Sequence, residues 1–144
     1  MSRSDVSGAP LARKLGLRPG QAICLLDATP AAEAAIRAAC DASIRIATAL
    51  AGAPYDQIFF WPRDDLGLAE RFAALQARIV PSGAVWAVIP RKPVAERLGL
   101  RITWEGVQAA GLTTDLVDTK NAKITDEEYG TRFVIRLIAR PSEG

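Results

Sequence analysis

The 144-residue chain contains no histidine. Without imidazole it cannot run Ser-His-Asp or Cys-His nucleophilic catalysis, and nearly every zinc arrangement is excluded as well. Cysteine is almost as scarce: Cys24 and Cys40 are the only two, and two separated thiols cannot complete a four-ligand site. Both read as small packing hydrophobes, and neither has a histidine to activate it. There is little excess charge of one sign, since 18 Lys and Arg against 16 Asp and Glu leave a net +2. A nucleic-acid footprint needs a basic patch or stripe, so that class of partner is not expected. Nowhere do five like charges run together, which argues against a disordered charged tail. No apolar run approaches the roughly 20 residues that cross a bilayer, and no signal peptide is legible in the polar residues 1–9. The expectation is a cytoplasmic protein with reduced thiols and no membrane partner. Any chemistry would have to run on carboxylates, Lys, Tyr, hydroxyls or a bound cofactor.

What is present is ordinary globular composition, 49% apolar and 24% charged. The length suits one domain with a two- or three-layer core. We expect flexible tails at 1–9 and 141–144 around a single domain at 10–140. Residues 10–17 read as a short helix ended by Gly16, and residues 21–27 as a strand. The unbroken apolar centre of that strand suits a sheet covered on both faces. Thr29 can cap the next helix, with Pro30 at its first position, Glu33 in its first turn and an alanine-rich body to residue 40. Residues 43–50 place large apolar side chains at every second position, as an edge strand does. Tyr55–Trp61 is a second buried strand. Asp64 and Asp65 are expected to cap a helix whose stripe is Leu68, Phe72, Leu75 and Ile79. Pro81-Ser82-Gly83 is read as a turn into a third buried strand, Ala84–Ile89, stopped by Pro90-Arg91-Lys92-Pro93. LARKLGLR at 11–18 resembles VAERLGLR at 94–101, which two unrelated helical turns ending in glycine explain. Thr103 can cap a helix through Ala110, with Gly111 as its stop. LVDTKNAKI and TRFVIRLI, joined by TDEEYG, read as an antiparallel hairpin. The fold class is therefore α/β: a three-layer, Rossmann-like sandwich, mostly parallel and closed by a C-terminal hairpin.

Several segments resemble class I methyltransferases: KLGLRPGQAICLLD, YDQIFFWP, the helix before PSGAVWAVIP, and the final hairpin. The resemblance is closer to a small bacterial family of unknown function with a methyltransferase-like fold. It rests on the LARKLGLRPGQ opening, the YD-led strand, GAVWAVIPRK, LVDTK and GTRFV, and it covers about residues 10–138. Two departures weaken the inference of methyl transfer. The residues after Asp27 are Ala28-Thr29-Pro30, where S-adenosylmethionine enzymes use glycines to let backbone and cofactor approach. Only Ala51–Pro54 separate the edge strand from YDQIFFW, where the full pattern has helix, strand and helix, including the acidic strand end that holds the ribose. A parallel crossover usually takes a dozen or more residues. Four residues reach only about 14 Å, so 43–50 either runs antiparallel or is short, with 49–54 as a stretched return. The fold is thus a truncated methyltransferase-like one, and no cofactor is expected.

In open α/β sheets ligands sit beyond the carboxyl ends of the strands. Those ends carry Asp27 and Thr29, Trp61 and Arg63, and Arg91 and Lys92. Asp27 pairs with Arg63 or Lys92 or receives loop hydrogen bonds, or else it binds a ribose or an amine. Thr29 is a helix cap or part of an anion site at the helix start. Arg91 and Lys92, held between two prolines, form surface ion pairs or bind a phosphate or carboxylate. Lys120 guards a sheet edge, and the resemblance adds it as a site candidate. Trp61, Trp86 and Trp104 read as packing rather than a stacking platform. Asp126-Glu127-Glu128 reads as a solvated turn. The expectation is a non-catalytic binding module for a small anionic ligand or a protein partner. A reduced S-adenosylmethionine-dependent methyltransferase and a structural interaction protein are the alternatives. The outward row of residues 43–50 (Arg45, Ala47, Ala49) carries one charge, so a homodimer paired through that edge is expected.

Overall fold

Alternating apolar strands and alanine- or leucine-rich helices make a six-stranded sheet covered on both faces, in a computed structural model that describes residues 11–52 and 54–139. The expected tails at 1–9 and 141–144 lie outside the described residues. Helix α1 occupies 11–15 and leads into β1 (Ala22–Leu26), α2 (Pro30–Ala39), β2 (Arg45–Ala47) and β3 (Tyr55–Phe60). Next come α3 (Leu68–Gln76), β4 (Ile79–Pro90), α4 (Lys92–Leu98), α5 (Trp104–Gly111), β5 (Leu116–Lys123) and β6 (Glu128–Ile135). The sheet order is β2-β1-β3-β4-β6-β5. The first four strands are parallel, and β6 runs antiparallel to both β4 and β5.

Strand alternation sorts the core into two layers. On one face, Ile23, Leu25, Phe59, Trp61, Trp86 and Val88 pack against Leu11 and Leu15 of α1 and Ala32 and Ile36 of α2. On the other, Cys24, Ile58, Phe60, Val85 and Phe133 pack against Phe72 and Leu75 of α3 and Val107 of α5. Trp86 stacks on Phe59 with ring centroids 5.6 Å apart, and its Nε1 donates to Gln57 Oε1 at 2.7 Å. That bond satisfies an otherwise costly buried amide.

Residues 43–50 resolve into the short alternative. β2 has three residues, is parallel to β1, and lies at the sheet edge. Three residues rise only about 10 Å, so the stretch after Ala47 returns to Tyr55 without a helix. Side chains hold this link. The Tyr55 hydroxyl accepts from the Ala51 amide at 3.2 Å and lies 2.5 Å from the Ala51 carbonyl, and the Arg78 guanidinium donates to Gly52 O. An edge of three residues offers far less backbone than the eight expected, and Ala49 falls outside it. Pairing of two chains through this edge would engage three residues instead of eight.

Other boundaries move for local reasons. β4 begins at Ile79, so Ile79 leaves the helical stripe. Pro81-Ser82-Gly83 lies inside the strand at an irregularity in the β3–β4 register. Asp64 and Asp65 do not cap α3: Gly67 is the N-cap, at φ 69°, and Asp64 Oδ1 accepts instead from Leu66 N at 2.7 Å. The Pro90–Pro93 stop opens α4 directly, and Gly99 (φ 70°) ends α4 as Gly16 (φ 69°) ends α1. Gly111 is the last residue of α5 rather than a stop, because a Cβ there would strike the Phe133 ring. Thr103 caps α5 as expected, accepting from Gly106 N at 3.0 Å.

Candidate functional site

Three loops meet at the carboxyl edge of the sheet. The first is the turn from β1 into α2. Asp27 takes a left-handed conformation, φ 65°, immediately after β1. An Asp tolerates this region better than most side chains, and the turn carries the chain to α2 in three residues. Thr29 then caps α2, its Oγ1 accepting from Ala32 N at 3.4 Å while its carbonyl accepts from Glu33 N at 2.9 Å. Pro30 has no N–H to offer, which leaves Ala31 as the first-turn amide without such a partner.

The second loop follows β3. Trp61 is buried between the sheet and α2, and Pro62 and Arg63 continue from it. The third is the β5–β6 turn, which is locally ordered. Thr125 Oγ1 accepts from Glu127 N at 3.2 Å and Glu128 N at 3.1 Å. Arg91 reaches across from β4 to the same turn, its amide donating to Glu127 O and its Nε to Asp126 O, both at 2.8 Å. Lys123 pairs with Asp126 at 2.9 Å and Arg97 with Glu127 at 3.1 Å. The Lys123 ammonium holds the Asp126 carboxyl below its ordinary pKa.

These anchors set Glu128 at the first position of β6, opposite Pro90. Its Oε1 accepts from Thr29 Oγ1 at 2.8 Å and from Trp61 Nε1 at 3.2 Å. One carboxylate oxygen thus ties all three loops together. Beside it lies a cavity of about 350 Å³, with Thr29, Trp61, Arg63, Glu127 and Glu128 as its polar or aromatic lining and Val88, Pro90, Val94, Leu98 and Leu100 among its apolar walls. A second cavity of about 430 Å³ opens on the other side of Trp61 and Arg63, against Asp27, Asp64 and Arg71. A third, of about 330 Å³, lies beyond Pro90 and Leu100, where Lys92, Trp104, Glu105 and Tyr129 line it. There burial, reinforced by the Glu105 carboxylate, raises the Tyr129 hydroxyl above its ordinary pKa.

The structure therefore brings Thr29, Trp61 and Arg63 together around the first cavity. Asp27 is exposed beside it and pairs with Arg71 at 3.5 Å, not with Arg63 or Lys92. Arg91 is spent on the hairpin turn, and Lys92 lines the third cavity. Lys120 lies on the far edge strand, opposite Arg132, and takes no part. At the α2 start the Glu128 carboxylate accepts from Thr29 and Trp61, and of the expected cations Arg63 lines the cavity. Glu128 had been read as a solvated turn residue. The signal that would have found it is topological: a final antiparallel strand beside β4 begins where β4 ends, at the ligand edge.

No family model matches the sequence, and no curated protein matches it. Solved structures do. The pyocyanin biosynthetic protein PhzM superimposes with a TM-score of 0.63 at 9% identity, over 92% of this chain and 55% of that one. The N-methyltransferase NodS from Bradyrhizobium japonicum gives 0.58 at 13% identity, over 92% and 96%. LepI, solved in complex with SAM, gives 0.55 at 15% identity, over 90% and 40%. The fold is methyltransferase-like. At these identities the likeness concerns the fold alone, and the chain spans about half the length of PhzM.

S-adenosylmethionine is the group such a fold suggests, and the residues present do not fit its adenosine half. Residues 28–34 hold no glycine, Asp27 turns the chain sharply at the strand end, and β2 ends at Ala47, followed by Thr48-Ala49, with no carboxylate there. The short link to β3 leaves no room for a further strand beyond β2. Among the described residues no group of three or more His, Cys, Asp or Glu could hold a metal ion. No helix among them is long and apolar enough to cross a membrane.

Proposed function

We propose that this chain is a non-catalytic binding module of methyltransferase-like fold, with its small-molecule site in the cavity between Thr29, Trp61 and Glu128. The observation that carries this reading is the Glu128 carboxylate bridging Thr29 and Trp61. It closes the β1–α2 turn against the hairpin on the cofactor side and leaves a walled cavity on the side of β4. A volume of about 350 Å³ falls at the small end of the range that ligand pockets occupy. The alternative, a reduced methyltransferase, would need cofactor contacts from a turn without glycines and from an absent strand. Calorimetric titration with S-adenosylmethionine separates the two. The binding-module reading expects no heat of binding in the micromolar range and no rise in melting temperature at high cofactor concentration, because a ligand of the native state must raise it by mass action. Saturable binding at one site per chain would overturn it.

A further inference from the structure

We infer that the ligand of the Thr29–Trp61–Glu128 cavity is a small organic cation, a protonated amine on an apolar body. The inference rests on the binding-module reading and adds the charge of the ligand. The β5–β6 turn carries three consecutive carboxylates. Asp126 is paired with Lys123 and Glu127 with Arg97. Glu128 lines the cavity and has no ion-pair partner among the described residues; its hydrogen bonds from Thr29 and Trp61 come from neutral donors and fall on one oxygen. A partly desolvated carboxylate without a counter-ion is costly, and a cation entering the cavity would remove that cost through a charge-assisted hydrogen bond to the other oxygen.

The rest of the cavity fits the same ligand. Trp61, 3% exposed, lines the cavity beside the carboxylate, with its indole N–H donating to Glu128. Val88, Pro90 and Val94 supply an apolar wall. Leu98, 55% exposed, is among the large hydrophobic side chains that face solvent; an apolar body in the cavity would cover it. Arg91 is directed to the hairpin turn and Lys92 to the third cavity; Arg63, the cation on this cavity's lining, is exposed to solvent, whereas Glu128 is half-buried.

Phenethylamine is the probe, with 3-phenylpropanoate and phenethyl alcohol as anionic and neutral compounds of similar shape. Binding is read by thermal shift and by the Trp61 indole N–H resonance. Phenethylamine is expected to stabilise the protein and shift that resonance, with the alcohol and the acid at least tenfold weaker. Glu128→Gln keeps an acceptor for Thr29 and Trp61 and should weaken the amine at least tenfold, while Glu70→Gln, on α3 and away from the cavity, should not. The comparison of three ligands on the unaltered protein keeps the test decisive if Glu128→Gln fails to fold. Equal or tighter binding of the acid, equal binding of all three, or no binding of the amine would each overturn the inference. Binding of the acid at Trp61 would still leave the module reading standing, whereas saturable binding of S-adenosylmethionine would remove that reading itself.

Discussion

Replacing Thr29 by valine removes two interactions made by one hydroxyl, and the structure separates their magnitudes. Loss of the N-cap bond to Ala32 N costs about 1 kcal/mol. Loss of the 2.8 Å bond to the Glu128 carboxylate costs roughly 2 kcal/mol, as bonds to charged groups do. Thr29→Val should therefore destabilise the protein by about 3 kcal/mol, on the order of a 10 °C fall in melting temperature for a domain of this size. In a Glu128→Ala background the same change should cost only the cap, about 1 kcal/mol, so a double-mutant cycle in urea should return a coupling of about 2 kcal/mol. Thr103 is the internal control. It caps α5 through Gly106 N and has no carboxylate partner among the described residues, so Thr103→Val should cost about 1 kcal/mol in either background. Additivity of Thr29→Val and Glu128→Ala to within about 0.5 kcal/mol would refute the claim that this bond joins the two loops.

Gly111→Ala should destabilise by about 1–2 kcal/mol, because the added methyl meets the fully buried Phe133 ring. Gly106→Ala in the same helix meets only the Asp65 carboxylate and should be neutral or stabilising; chemical denaturation compares them. Burial raises both cysteine thiols above their ordinary pKa, so a thiol reagent at neutral pH should label half-buried Cys40 slowly and buried Cys24 only on unfolding. Tyr129 keeps its proton to higher pH in the folded state than in the unfolded one. Its contribution to stability is thus complete below the ordinary value of 10.0 and is lost as pH rises above it. Tyr129→Phe should flatten that alkaline fall in melting temperature.

The layers and the sheet direction were legible because strand and helix periods differ and because prolines, glycines and threonine caps mark the joints. Ala22–Leu26 is apolar throughout and Tyr55–Phe60 is apolar from Ile58 on, as suits centrally placed parallel strands. The short β2 was inferable as one of two options, from the reach of the residues before Tyr55. Gly111 and Pro81-Gly83 were misread because both sit where a turn would be ordinary, and tertiary packing against Phe133 and β3 overrides local preference. The site was only half legible. Thr29, Trp61 and Arg63 follow from the strand-end rule. Glu128 does not, because its role depends on the register that sets it opposite Pro90. Arg91 and Lys92 read as ligand cations until the hairpin turn that Arg91 binds is placed.

Indole N–H spectroscopy on the three tryptophans tests the central claim most directly, since Trp61 lines the proposed cavity while Trp86 is buried in the core and Trp104 opens α5 and lines the third cavity. Phenethylamine should move the Trp61 resonance alone and saturably, and S-adenosylhomocysteine at the same concentration should move none of the three, nor the backbone amides of Asp27–Ala31. A saturable shift of those amides by S-adenosylhomocysteine, with Trp61 indifferent to the amine, would contradict the account.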